Sequence, residues 1–463
     1  MKKPLLLLLL AAPAALPARA QAPALGTFAV GPTTVTVSAI APNLDTVWEL
    51  LWGPDNYLWA TERYGRISRI DPATGQVQPL LTIADVTENN ESGLLGMVLH
   101  PDFAAQPYVY VVYNYTDAGA LKEKLVRFTY AAAAHTLTAP LVLLGGIGAT
   151  TNHSGSRLCI LADRTLLMTT GDALQASEAQ NPASLNGKTL RLNLDGTIPA
   201  SNPTPGSAVY TLGHRNPQGL LQLANGRLYA SEHGPGTDDE VNRIEAGRNY
   251  GWPNVEGYCD LPNEQVFCAA HNVREPLTAW TPTIAPAGLA YYDHPAIPGW
   301  RGSLLLVALG GRKLVQLPLD AGGNAILSRT DFLGTFGRLR SVCVSPQGRV
   351  YVGTSNRDGR GTPAATDDRI LVLENRAYAP SATRPAALAG VELWPNPARR
   401  TATLRLPTAP AQVQLRDALG RLLRTFAATA PETVMALDGL APGVYAVQVV
   451  AATGTATQRL LVE

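Results

Sequence analysis

The sequence predicts an all-β protein, a six-bladed β-propeller followed by a small β-sandwich. Three observations predict it. An apolar strand, a Pro/Gly/Asn/Asp turn and a second apolar strand recur six times along the chain. Glycine (42) and proline (36) are abundant while charged residues make up only 16%, which favours many turns and short strands over long helices. After Glu374 the composition changes to an Ala/Pro/Ser-rich run and then to a second set of alternating strands.

Taken in order, the chain opens with an export signal over residues 1–20. Lys2 and Lys3 form a basic start, residues 5–10 are all leucine, and Ala18-Arg19-Ala20 fits a small-x-small cleavage site before Gln21. The apolar run is broken by Pro13 and Pro17 and is too short to span a bilayer. The expected product is exported and not membrane-spanning, either secreted or attached to the cell surface. The propeller is placed at 26–374, with the segment 28–40 completing its last blade.

The six repeats are residues 50–62 (LLWGPDNYLWATE), 96–113, 158–172, 220–232, 289–309 and 341–355. They start about 46 to 69 residues apart, the length of one four-stranded blade with its loops. More polar strands follow them, as at 66–71, 188–195 and 369–374. A linker is placed at 375–389 and a β-sandwich at 390–463. With Lys+Arg 37 against Asp+Glu 36, the net charge of +1 excludes a general nucleic-acid binder. Of the four cysteines, Cys259 and Cys268 lie in a loop-like stretch (YCDLPNEQVFC) and suit a local disulfide in an oxidising compartment. Cys159 and Cys343 sit within apolar strands and read as buried thiols.

Polar motifs stand at the repeat boundaries. Residues 231–252 (SEHGPGTDDEVNRIEAGRNYGW) are too polar for a core strand and too glycine-rich for a helix. They supply the carboxylates and carbonyls that hard cations take. His153, flanked by small residues in NHSGSR, is expected to be exposed and able to act as a base, with Asp172 as the carboxylate that orients it. Arg215 and Asn216 in GHRNPQG suit anions or carbonyls. Arg338 and Arg340 alternate along one strand, and two adjacent guanidinium groups require an anion. Each motif alone also reads as a cap, a turn or a solvated edge.

Together these segments resemble the soluble quinoprotein sugar dehydrogenases, which use pyrroloquinoline quinone (PQQ) on a six-bladed propeller. The resemblance spans residues 48–373. It rests on ESGLLGMVLHPDF, NHSGSRL, GKTLRLNLDGTIPASNP, LGHRNPQGL, SEHGPGTDDEVNRIEAGRNYGWPN, PTIAPAG, GRLRSV and TSNRDGRG, in that order. It implies that His153 is the general base, oriented by Asp172, and that Arg215 stabilises negative charge on the quinone, with Asn216 beside it. It implies that Gly234 and Pro235 give carbonyls to a calcium ion on PQQ. Glu240 and Tyr250 match positions of a second, structural calcium. Thr283, Arg338 and Arg340 would grip the PQQ carboxylates, with Gln218 close by and His233 lining the pocket.

The chain also departs from the family. Glu91 replaces a neutral amide, Asn152 an aspartate, and Trp280 is the aromatic nearest the place of a sugar-binding tyrosine. A lysine of the fifth repeat is out of register, which leaves Lys313 or Arg312 to serve. The tail resembles the sorting domain of type IX secretion substrates through its W-P-N-P entry, D-x-L-G-R turn, L-x-P-G-V-Y strand start and terminal TQRLLVE. The expected partners are a sugar, an electron acceptor that the sequence does not identify, and the type IX secretion machinery. Two other readings use the same scaffold. One is a non-catalytic, calcium-stabilised propeller that binds glycans or surface partners, and the other is a calcium-stabilised hydrolase.

Overall fold

The protein is described here from a computed structural model. The described residues are 22–379, 388–407, 409–417, 422–451 and 454–463. The export signal at 1–20 and most of the linker at 375–389 lie outside them. Two compact units divide between Tyr378 and Ala379.

The first unit contains six antiparallel sheets. Five have four strands each, spanning residues 47–82, 94–148, 155–212, 217–280 and 286–332 in sequence order. The sixth joins Leu339–Val344, Val350–Thr354 and Ile370–Glu374 to the hairpin of Ala24–Val30 and Thr33–Ile40. That pairing ties the two ends of the unit together, since Thr36 lies opposite Glu374 and Ile40 opposite Ile370. The first strands of the six sheets are Val47–Trp52, Leu94–Leu99, Gly155–Ile160, Pro217–Gln222, Pro286–Tyr292 and Leu339–Val344. Each packs against the next, and the last packs against the first, in a closed, propeller-like cycle.

These inner strands approach closely enough to restrict side chains. A Cβ on Gly96 would stand 2.0 Å from the carbonyl oxygen of Ser156 on the next inner strand, so only glycine fits. Farther out, apolar side chains fill the wedges between sheets. Trp59 meets Phe103 and Tyr130 edge-on, and Trp300 packs on Tyr292, Phe332 and Phe28.

Two expectations are corrected. Residues 239–244, within the stretch read as too polar for a core strand, form the strand Asp239–Ile244, with Asp239, Val241 and Asn242 buried. Its polar side chains are tolerated because they bond to backbone and to one another. Asp239, for example, takes the amides of Gly234 and Ala285. The stretch around Cys268, read as loop, is the helix Pro262–His271. Pro262 starts it, and Glu264 accepts the amide of Leu261, which satisfies an otherwise free donor. Cys259 and Cys268 form a disulfide, while Cys159 and Cys343 are free.

The second unit holds a three-stranded and a four-stranded sheet. Both contribute to one core, with Leu404 and Met435 from the first and Val413, Val447 and Leu460 from the second.

Candidate functional site

The motifs collect at one end of the inner strands because they begin those strands or end the strands paired with them. His153 lies just before Gly155–Ile160, and Asp172 just after its partner Thr165–Thr170. Arg215 and Asn216 precede Pro217–Gln222, while His233 and Gly234 follow its partner Leu228–Glu232. Arg338 and Arg340 lie at the start of Leu339–Val344, and Glu91 precedes Leu94–Leu99. In an antiparallel pair the start of one strand adjoins the end of the other, so sequence-distant residues become neighbours.

His153 is only 9% exposed, so its small neighbours do not leave it open as the sequence suggested. Its Nδ1 is 2.8 Å from Asp172 Oδ1, and its Nε2 has no partner among the described residues. Asp172 Oδ2 accepts the indole N–H of Trp252 at 2.8 Å. The turn that carries the histidine is tight. His153, Gly155 and Ser156 have left-handed φ angles of 59°, 66° and 70°. A Cβ on Gly171 would stand 1.8 Å from the His153 carbonyl oxygen. Glu91 Oε2 accepts the His153 amide at 3.3 Å, and its Oε1 pairs with Arg360 at 3.2 Å. Burial raises the Glu91 carboxyl, but the charges of His233, Arg360 and Arg340 and the His153 amide outweigh it and hold it below the usual range.

The Arg215 guanidinium bonds the His233 carbonyl at 3.2 Å and lies over the Trp252 ring. Burial lowers its proton affinity, against the carboxylates of Asp172, Glu232, Glu91 and Asp239. Asn216 Oδ1 takes the Gly155 amide at 3.1 Å. Three buried polar atoms here have no partner among the described residues: Arg215 Nε, Asn216 Nδ2 and His233 Nε2. Burial also pushes the His233 imidazole down, and the charges of Arg215, Arg340 and His153 add to this against Glu91.

Arg338 and Arg340 are buried and share one counter-charge that sequence reasoning missed. Arg338 Nε is 2.7 Å, and Arg340 Nη2 is 3.4 Å, from Asp358 Oδ2. Arg340 also donates to Gln218 Oε1 at 3.1 Å and to Ser355 Oγ at 3.0 Å. Among the described residues only Nε of the Arg338 guanidinium has a hydrogen-bond partner. Unpaired donors on Arg338, Arg215 and Asn216 suit an oxygen-rich anionic ligand such as PQQ. Thr283 stands next to the Ile284 and Ala285 amides that Asp239 holds.

Lys313 is not brought to the others. It is paired with Asp331 at 2.7 Å, because its strand turns the ammonium towards the outermost strand of the sheet, Thr330–Phe332. The Tyr250 phenol donates to the Arg243 carbonyl and accepts the Glu245 amide, so only its backbone carbonyl remains for a cation. Glu232, Gly234, Asp238, Glu240, Tyr250 and Glu256 line a cavity of about 20 Å³, room for a single ion or water. Burial, then the charge of Glu232, pushes the Glu240 carboxyl well above its usual range. A cation would relieve that crowding. Among the described residues no three His, Cys, Asp or Glu side chains converge as a metal site, so backbone carbonyls would have to take part.

A larger cavity, about 740 Å³, lies at the other ends of the inner strands and is separate from these residues. A buried ion pair between Arg157 and Glu49, at 2.6 Å, lines it.

The family model described as Glucose / Sorbosone dehydrogenase matches residues 44–367, and that described as Secretion system C-terminal sorting domain matches residues 392–463. The chain is 32% identical over 424 residues to quinoprotein glucose dehydrogenase B of Acinetobacter calcoaceticus, which covers 73% of this chain and 88% of that protein. Among solved structures, the PQQ-bound aldose sugar dehydrogenase of Streptomyces coelicolor is 35% identical, with a TM-score of 0.65 over 74% of this chain and 99% of its own. The apo-form soluble aldose sugar dehydrogenase of Escherichia coli is 27% identical, with a TM-score of 0.65 over 74% of this chain and all of its own.

Proposed function

The chain belongs to the Glucose / Sorbosone dehydrogenase family, and on that footing we propose that it is an exported PQQ-dependent sugar dehydrogenase. It oxidises the anomeric or alcohol carbon of an aldose, and calcium is a second cofactor. We read the six sheets as six propeller blades over 26–374, and the tail at 390–463 as a β-sandwich that directs type IX secretion. The linker at 375–389 joins the two.

One observation carries the chemical reading. The His153–Asp172 pair is buried beside donors that have no acceptor among the described residues, on Arg215 and Asn216. Asp172 keeps a proton on Nδ1, which leaves Nε2 to accept a proton from a sugar hydroxyl. The charge then formed on the imidazole is balanced by Asp172. Arg215 Nε offers a preorganised donor for negative charge developing beside it.

Arg338, Arg340, Thr283 and Gln218 would hold PQQ by its carboxylates and carbonyls, with Asn216, Glu91 and His233 around it. Gly234 and Pro235 would give carbonyls to calcium, and Glu240 with the Tyr250 carbonyl would take a second ion. When bound, PQQ with calcium supplies a two-electron acceptor that the cation polarises. Lys313 has no part in this reading, because Asp331 holds it.

The test is dye reduction by the purified protein, supplied with PQQ and calcium, over a panel of aldoses. Sugar-dependent reduction that needs both additions is expected. No PQQ binding at micromolar cofactor, together with no reduction, would overturn the proposal.

A further inference from the structure

Glu123 lies behind the His153 turn and has no part in the chemistry above. It sits in the strand Ala120–Ala131, is 2% exposed, and reaches across to the next inner strand. Its Oε2 is 2.8 Å from Ser156 Oγ. Ser156 Oγ is also 3.0 Å from the carbonyl oxygen of Ser154. That carbonyl in turn accepts the amide of Gly171 at 3.0 Å.

A serine hydroxyl has one proton. It cannot donate both to the Ser154 carbonyl and to an ionised carboxylate. Both short contacts are satisfied together only if the carboxyl carries a proton and donates to Ser156 Oγ. The surroundings agree. Among the described residues Glu123 Oε1 is buried with no partner within hydrogen-bond distance, so an ionised Glu123 would be held only by Ser156 and by the facing Asn114 amide, with no cation. Across its sheet Glu123 faces Asn114 on one side and Ile147 on the other, and from the neighbouring sheet it faces Ser156. The flanking lysines are engaged elsewhere, Lys122 with Asp117 and Lys124 with Asp85, and Arg157 beyond Ser156 pairs with Glu49. No charged side chain among the described residues pairs with Glu123.

We propose that Glu123 is a positioning residue that works as a neutral acid. It donates to Ser156 Oγ, which releases the Ser156 proton to the Ser154 carbonyl and so fixes the left-handed turn that carries His153. The proposal rests on the reading of His153 as the base. Burial, with no cation to oppose it, pushes the Glu123 carboxyl up to about 8, against hydrogen bonds from Ser156 and Asn114. The unfolded chain releases this proton near its ordinary value of ~4.3, while the folded protein keeps it to about 8. The folded state therefore binds more protons between those values, and stability falls as pH rises through that window.

Two variants test this. In Glu123→Gln the amide N–H donates to Ser156 as the acid does. In Glu123→Leu nothing donates. Unfolding of the cofactor-free protein is measured first, from pH 5 to 9. Wild type is expected to lose stability relative to Glu123→Gln as pH rises, and parallel curves would overturn the neutral acid. Turnover with PQQ and calcium is measured second. Glu123→Gln is expected to stay within about twofold of wild type, and Glu123→Leu to lose about 10- to 100-fold in kcat with KM changed less than about threefold. Equal losses in the two variants would overturn the donor role. Should Glu123→Leu not fold, Ser156→Ala replaces it with the same expected loss. A wild type that does not oxidise sugar defeats the proposed function alone, since the unfolding curves still decide the state of Glu123.

Discussion

Trp252 donates its indole N–H to Asp172 Oδ2 at 2.8 Å, while Asp172 Oδ1 faces His153 Nδ1 at the same distance. Both carboxylate oxygens are therefore committed, which fixes the plane of Asp172 and through it the direction of the imidazole. The tryptophan comes from the loop after Asp239–Ile244, in a different sheet from the His–Asp pair. It also supports Arg215, whose guanidinium lies 5.4 Å from its ring centre. One side chain thus supports the His153–Asp172 pair and Arg215 across two sheets.

Trp252→Phe separates these tasks. The ring that supports Arg215 remains, and the N–H to Asp172 is lost. We expect kcat to fall about tenfold with little change in KM, because orientation of the base is lost while ligand contacts persist. Steady-state kinetics on one aldose checks it. A change confined to KM would place Trp252 in binding instead.

His153→Ala removes the proposed base outright. Turnover is expected to fall about 10²- to 10⁴-fold. PQQ binding, followed by absorbance titration, is expected to persist, because the proposed cofactor-binding residues Arg215, Asn216 and Arg338 are untouched. Asp172→Asn is expected to lose a comparable factor, since an amide in place of the carboxylate favours the wrong tautomer and leaves the imidazolium unbalanced. Unchanged turnover in His153→Ala would show that another group takes the proton.

The sequence made some of this legible and hid the rest for physical reasons. Strand-turn-strand repeats are local patterns, so the six sheets and the placing of motifs at strand ends could be read directly. The partners of those motifs are distant in sequence. Nothing near Asp172 points to Trp252, 80 residues on. Asp358 was within a quoted motif, yet its role depends on sheet pairing that brings it back to Arg338 and Arg340. The pairing of Lys313 with Asp331 was not legible either, because it depends on which side of its strand faces Asp331. The helix Pro262–His271 was hidden by its polar sequence and a disulfide spacing that suggested a loop.

Lys188 braces the segment behind Asp172. Its ammonium is fully buried and donates to the carbonyls of Glu178, Ala179 and Asn186 at 2.7, 3.0 and 2.7 Å. Burial lowers it to about 8, with Glu178 opposing. The unfolded lysine keeps its proton to ~10.4, so between those values the unfolded chain binds more protons and stability rises with pH. Wild type is therefore expected to gain on Lys188→Met as pH goes from 8 to 10, by up to about 1.4 kcal/mol per unit. Urea unfolding at each pH measures the difference, and a constant gap would show that burial does not lower the proton affinity of Lys188.

Asp358 is the sole carboxylate paired with both Arg338 and Arg340 among the described residues. Burial raises its carboxyl, but the two guanidinium groups outweigh burial and hold it below the usual range. Burial also lowers the Arg340 guanidinium to about 10, against Asp358 and with the repulsion of Arg63 and Arg338. Asp358→Asn would leave two neighbouring cations without their anion, at a cost of about 3–5 kcal/mol. A bound anion can replace the lost charge and stabilises the folded state by mass action. Sulfate is therefore expected to raise the melting temperature of cofactor-free Asp358→Asn more than that of wild type, and PQQ more than sulfate. Equal shifts in both proteins would show that the arginine pair is not a site for anions.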